Sequence, residues 1–214
     1  MIKAISFDLD GTLADEKFDS LIWNEELPKA YAKKKNLTFE RAKEKIFATF
    51  YTAEWFEKLS WDKWTDLEYW CNRFQVGDWK EIVQRLRNEV LVFEDVFPVL
   101  EQLKKNYKLI IVSNANEKFL NVKLEIEGLK KYFDHIYSAP SQFKLRKSKP
   151  VFKLILKELH LKPQEVVHVG DDHDGDYLVP RELGMRAFHL LRGRKRKGEF
   201  EINSLKELLK KLDG

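Results

Sequence analysis

Asp8-Leu9-Asp10-Gly11-Thr12 closes a short run of strand-forming residues, Lys3–Asp8 (KAISFD). Two carboxylates two residues apart in an extended segment point to the same side. The glycine that follows lets the chain approach a bound group closely. Further on, Val166–Gly170 (VVHVG) runs into Asp171-Asp172-His173-Asp174-Gly175-Asp176. Lys108–Asn114 (KLIIVSN) ends in Ser113 and Asn114, and the loop after His135–Ser138 (HIYS) holds Lys144, Arg146, Lys147 and Lys149. A pocket that gathers Asp8, Asp10, Asp171 and Asp176 resists desolvation unless positive charge enters it. A hard divalent cation supplies that charge through oxygen ligands, and Mg²⁺ favours phosphate as a further partner. A nearby lysine suits a phosphate dianion, and the amides around Gly11 and Ser113-Asn114 suit its oxygens. A carboxylate is itself a nucleophile that forms an aspartyl-phosphate. With two acids at hand, one attacks phosphorus, and the other protonates the leaving group and then activates water.

Such a site needs a scaffold that brings several segments to one edge. The apolar runs named above, with Arg186–Leu191 (RAFHLL), are mostly continuous, as in strands buried on both faces. Helical spacing lies between them, at Val99–Lys105, Glu117–Leu129 and Val151–Leu159, with Pro98 and Pro150 at first-turn positions. Strands alternating with helices predict an α/β fold with a doubly wound, Rossmann-like parallel sheet, in which ligands bind beyond the carboxyl ends of the strands. Residues 15–95 break the rhythm: the patterns there are helical (Leu21–Lys34, Phe39–Phe50, Trp61–Phe74, Trp79–Arg87), and the segment holds all six tryptophans. The expected organisation is therefore a catalytic core of residues 1–14 and 96–214 with an all-helical insertion at 15–95.

A chain of 214 residues with 43% hydrophobic content affords a sizeable core and argues against disorder. The net charge of +4 is small and does not suggest a nucleic-acid binder. The one concentrated basic run, Arg192–Lys197, reads as a solvated turn or as a phosphate or RNA contact. A single cysteine, Cys71, excludes an intrachain disulfide and fits a reducing compartment. With no apolar run long enough for a bilayer and an N-terminus that reads as a strand rather than a leader, a cytoplasmic protein without membrane partners is expected. A monomer or a homodimer both fit.

The chain resembles the haloacid dehalogenase superfamily, in the branch with a helical cap inserted after the first motif. Asp8–Thr12 (DLDGT) is similar to the first motif and Val112–Asn116 (VSNAN) to the second. Arg146–Phe152 (RKSKPVF) is similar to the third, and Val169–Asp176 (VGDDHDGD) to the fourth. The resemblance implies that Asp8 is the nucleophile and a metal ligand. Asp10 is then the general acid/base, with its backbone carbonyl on Mg²⁺, and Asp171 and Asp176 complete the metal site. Ser113 and Asn114 would hold phosphate oxygens, with Gly11 and Thr12 shaping the first loop. The third motif departs from the usual pattern, with one residue fewer after Pro150. It leaves Lys147 as the aligned catalytic lysine and Lys149 as its rival for the phosphate. Asp172 stands where the family has a small polar residue, and either adds charge to the site or faces solvent.

In this family the second acid of the first motif marks phosphoryl chemistry, because a halide leaves without a proton. The expected activity is thus a Mg²⁺-dependent phosphatase of a small phosphorylated metabolite. The alternatives are a phosphomutase of the same superfamily and a non-catalytic phosphate-binding module. The cap would supply specificity. Its tryptophans are either helix-packing core or contacts to an apolar or cyclic leaving group. His168 reads as buried packing, His173 as a neighbour of the site, and Cys71 as core rather than nucleophile.

Overall fold

The structure, a computed structural model, describes residues 1–55, 58–195 and 198–212. Arg196 and Lys197 of the basic run, and the Trp55 side chain, lie outside the described residues. The chain divides into two compact units, residues 1–15 with 92–214, and residues 16–91.

In chain order the elements are β1 (Ala4–Phe7), α1 (Lys17–Leu21), α2 (Leu27–Lys35), α3 (Phe39–Trp55), α4 (Trp61–Trp64), α5 (Leu67–Phe74), α6 (Trp79–Leu86), α7 (Val96–Leu103) and β2 (Lys108–Ser113). They continue with α8 (Glu117–Glu125), β3 (His135–Ser138), α9 (Ala139–Phe143), α10 (Lys149–Glu158), β4 (Val166–Gly170), α11 (Val179–Glu182), β5 (Arg186–Leu190), β6 (Glu201–Ile202) and α12 (Leu205–Leu212). Wide π-helical turns, Ile22–Glu26 and His173–Leu178, join α1 to α2 and lead into α11.

The first unit is a six-stranded sheet in the order β3-β2-β1-β4-β5-β6. Every pairing is parallel. The continuous apolar runs have the expected consequence: β1 and β4 are buried along their whole length. Alternate residues serve opposite layers. Ile5 and Phe7 join Leu109, Ile111, Val167, Val169 and Phe188 in a core that takes in Leu100 of α7, Leu120 and Leu124 of α8, and Leu205 and Leu208 of α12. On the other face Ala4, Ile110, Val112 and Val166 meet Val151, Phe152, Ile155 and Leu156 of α10. The sheet thus has helices on both faces, as predicted, and the short edge strand β6 is an addition to the five strands read from the sequence.

Among its described residues, every regular element of the second unit is a helix. The continuous pattern read over Trp61–Phe74 is two helices, because Asp66 leaves the helical conformation (φ −91°, ψ 108°) and its side chain accepts a hydrogen bond from the Glu68 amide at 2.9 Å. Asp66 therefore caps α5 instead of continuing α4. Of the tryptophans that the structure describes here, Trp70 is packing core and Trp23, Trp61, Trp64 and Trp79 are part-buried. Trp70 is fully buried, its ring 4.5 Å from Phe50 and stacked at 5.8 Å on Phe74, and its indole N–H donates to the Trp64 carbonyl at 2.8 Å. Phe50 also meets Trp23 and Trp64. Cys71 is buried on α5, and burial, with Asp78 next, pushes its thiol up to about 12, which leaves it inert.

Truncating the ring at the centre of this cluster is the direct test of its packing role. Trp70→Ala is expected to cost about 3–5 kcal/mol in urea denaturation of the full chain. A loss below about 1 kcal/mol would contradict the placement.

Candidate active site

The site is built where β1, β2 and β4 end side by side. The Asp8 amide donates to the Val169 carbonyl at 2.9 Å, so the pairing of β1 with β4 runs one residue past the strand and carries the Asp8 carboxylate to the sheet edge. The chain then coils: the Leu9 carbonyl accepts from the amides of Thr12, Leu13 and Ala14. Leu9, Leu13 and Ala14 are wholly buried, so the loop that holds the acids is anchored by its apolar members. Gly11 has φ +72°, and a Cβ there would lie 2.3 Å from Asp171 Oδ2, so both the turn and the approach of the β4 loop require glycine. Gly170 is required by proximity alone, since its Cβ would lie 2.3 Å from Asp176 Cγ.

Asp8, Asp171 and Asp176 each present a carboxylate oxygen within 4.8 Å of the others. Lys147 enters this group from the segment before α10. Its ammonium lies 2.7 Å from Asp8 Oδ1 and 2.6 Å from Asp176 Oδ1, with the side chain only 1% exposed. The Lys147 amide donates to Asn114 Oδ1 at 2.6 Å, which ties the lysine's backbone to the end of β2. Ser113 is buried beside it, its hydroxyl accepting from the Ala115 amide at 3.0 Å. Thr12 is also buried and donates to Asp171 Oδ1 at 3.4 Å. Lys149 goes elsewhere: it opens α10 and pairs with Glu182 at 2.7 Å on an exposed flank. Of the two candidate lysines, the structure brings Lys147 to the acids. Asp172 is part-exposed and caps the following turn by accepting from the Asp174 amide at 3.1 Å, its other oxygen lying 3.7 Å from Arg146.

Charge follows from this geometry. Burial raises Asp8 well above the usual carboxylate range; Lys147 opposes that rise, and Asp176, Asp10 and Asp171 add to it. Burial also pushes Asp176 upward, but Lys147 and then His168 outweigh it and bring the carboxyl down to about 2. For Lys147, burial disfavours the charge, yet Asp176 and Asp8 hold the ammonium above the ordinary lysine range. One lysine therefore does not neutralise the cluster. The donor set of three hard oxygens, with Asp8 carrying uncompensated repulsion, fits a divalent cation.

Several residues of the site were not evident in the sequence. Lys123 of α8, with its side chain 1% exposed, bonds Asp10 Oδ1. The available signal was a lysine on the apolar stripe Phe119, Leu120, Leu124. His168, read as packing, is buried but also bonds Asp176 Oδ1 through Nε2 at 2.9 Å and Ser6 Oγ through Nδ1. His189 bonds the Asp171 carbonyl at 3.0 Å, while His173 is exposed and packs near His189 and Tyr177. Arg192 opens a turn whose next residues, Gly193, Arg194 and Lys195, are exposed as read, but its own side chain is held. Its Nε and a terminal nitrogen donate to the Thr12 carbonyl at 3.2 and 2.7 Å, it pairs with Asp95 at 2.9 Å, and it covers the Phe93 ring.

A parallel sheet of this order, with acids at the ends of two adjacent central strands and a buried lysine between them, is the framework of a haloacid dehalogenase-like hydrolase. The chain belongs to that family, whose sequence profile matches residues 2–184. It is 25% identical over 186 residues to the GMP/IMP nucleotidase YrfG of Escherichia coli K12, covering 86% of this chain and 81% of that one. It is 36% identical over 89 residues to a glyceraldehyde 3-phosphate phosphatase of Methanocaldococcus jannaschii, covering 38% and 39%. Among solved structures, a phosphatase of the family from Thermococcus onnurineus matches with a TM-score of 0.82 and 28% identity, covering 100% of this chain and 99% of that one.

If Asp8, Asp171 and Asp176 hold a cation, adding a divalent metal at about 100 times its dissociation constant stabilises the wild type by about 2.7 kcal/mol, read as a rise in Tm that EDTA reverses. Asp171→Asn is expected to abolish the rise. An equal rise in the variant would place the metal elsewhere.

Proposed function

We propose that this hydrolase is a Mg²⁺-dependent phosphatase of small phosphorylated metabolites, acting in the cytoplasm through an aspartyl-phosphate at Asp8. The observation that carries the reading is the Asp8 carboxylate held 2.7 Å from the Lys147 ammonium beside Asp171 and Asp176, with a second acid, Asp10, two residues on. The phosphatase relatives support hydrolysis of a phosphoric monoester over its rearrangement.

In this scheme Lys147 orients Asp8 and offsets the charge of an arriving phosphate dianion. The Ser113 hydroxyl and the Asn114 amide hold phosphate oxygens. An Asp8 oxygen attacks phosphorus, the bond to the leaving oxygen breaks, and Asp10 gives that oxygen its proton. Asp10 then takes a proton from water, whose oxygen attacks the phosphorus of phospho-Asp8. The Asp8–phosphorus bond breaks, and free phosphate and the starting carboxylate are restored. A Mg²⁺ ion held by Asp8, Asp171, Asp176 and the Asp10 carbonyl would screen the charge shared by the carboxylates and the phosphate. Residues 16–91 are assigned the cap's role, selection of the leaving group. The relatives' printed substrates, nucleotides and a triose phosphate, indicate the compounds to screen.

The test is hydrolysis of p-nitrophenyl phosphate with Mg²⁺ and with EDTA, beside Asp8→Asn and Lys147→Met. Turnover is expected with Mg²⁺ alone, at background in Asp8→Asn and lower by about 10²–10³-fold in Lys147→Met. Full activity in Asp8→Asn would contradict the scheme.

A further inference from the structure

The first unit carries a second lysine that meets a site acid. Lys123 lies on the buried face of α8, among Phe119, Leu120 and Leu124, and its ammonium bonds Asp10 Oδ1. Taking an ammonium out of water is costly unless a charged partner compensates it. An apolar residue would fill the same stripe without that cost. The Asp10 side chain is 24% exposed, so the pair bridges from the core to the open side of the site. Helix α8 also begins directly after the β2 loop: Asn116 caps it by accepting from the Lys118 amide at 3.1 Å, and the Ala115 carbonyl is fixed by Ser138 at 2.7 Å. The helix that carries Lys123 is thus built onto the segment that carries Ser113 and Asn114.

We propose that Lys123 is a positioning residue of the reaction, holding the Asp10 carboxylate where it serves the leaving oxygen and then the attacking water. The inference rests on the assignment of Asp10 as the acid/base. A carboxylate on a loop is free to turn about two side-chain bonds, whereas proton transfer requires it within hydrogen-bond reach of the reacting oxygen. A misplacement of about 1 Å costs on the order of 10²-fold in rate. The contact from α8 removes that freedom.

A structural ion pair and a positioning contact differ in their dependence on the leaving group. A p-nitrophenolate departs without protonation, and an alkyl oxygen does not. Lys123→Met is expected to lower kcat for an alkyl phosphate such as glycerol phosphate by about 10²-fold, with KM changed by less than about 3-fold. With p-nitrophenyl phosphate the same variant should keep its first turnover and show a burst followed by slow release, because only the water step still needs Asp10. Lys123→Arg, which keeps a cation on the same face, should recover most of the loss. In an Asp10→Asn background Lys123→Met should cause no further fall, since residues acting as one unit are non-additive. Lys123→Gln carries the same comparison should the methionine variant not fold.

A first turnover of p-nitrophenyl phosphate slowed as much as that of the alkyl ester, or losses that add in the double variant, would overturn the proposal. An impaired Asp10→Asn with an unimpaired Lys123→Met sinks the role of Lys123 alone. An Asp10→Asn variant that turns over alkyl phosphate normally sinks the assignment of Asp10 and this inference with it.

Discussion

Lys147 places one ammonium between two buried carboxylates, Asp8 at the end of β1 and Asp176 beyond β4, at 2.7 and 2.6 Å. Each of these charges would cost several kcal/mol to bury alone. Together they are tolerated, and they leave the cluster short of positive charge. That shortfall is what suits the site to a cation. Burial and the neighbouring carboxylates raise Asp8 against the pull of Lys147, whereas for Asp176 Lys147 and His168 together outweigh burial.

The rest of the unit keeps that arrangement in register. Ser6 on β1 stands opposite His168 on β4, and the two side chains bond across the sheet. Burial lowers the His168 pKa, so the ring is neutral. Network assignment then has Nε2–H donating to Asp176 while Nδ1 accepts from the Ser6 hydroxyl. Asp176 is thereby oriented from behind by the strand that delivers Asp8. On the other side Arg192 holds the Thr12 carbonyl and Asp95, and Asp95 accepts from the Leu205 amide at 2.7 Å. The loop that carries Asp8 and Asp10 is thus braced from both the centre and the far end of the sheet.

Much of this was legible in the sequence because it follows period and chemistry. Continuous apolar runs gave β1 to β5, and acids at their ends marked the edge where Asp8, Asp171 and Asp176 meet. The edge strand Glu201–Ile202 is too short to have a period. The break at Asp66 turns on one side-chain hydrogen bond inside an otherwise helical pattern. Choosing between Lys147 and Lys149 required the third dimension, since both flank Ser148 and only one reaches Asp8. Lys123 and Arg192 act across 113 and 180 residues of sequence, distances over which no local pattern speaks. The lysine on an apolar stripe was nonetheless a local inconsistency, and such inconsistencies collect at functional sites.

The central claim is that Asp8 itself takes the phosphoryl group. The most direct measurement is to quench the enzyme with acid during turnover of a phosphate ester, reduce the acyl phosphate with borohydride, and locate the modified residue by peptide mass spectrometry. The account predicts reduction at Asp8, dependent on both substrate and metal. Modification at Asp10, or an unmodified Asp8 during active turnover, would contradict it.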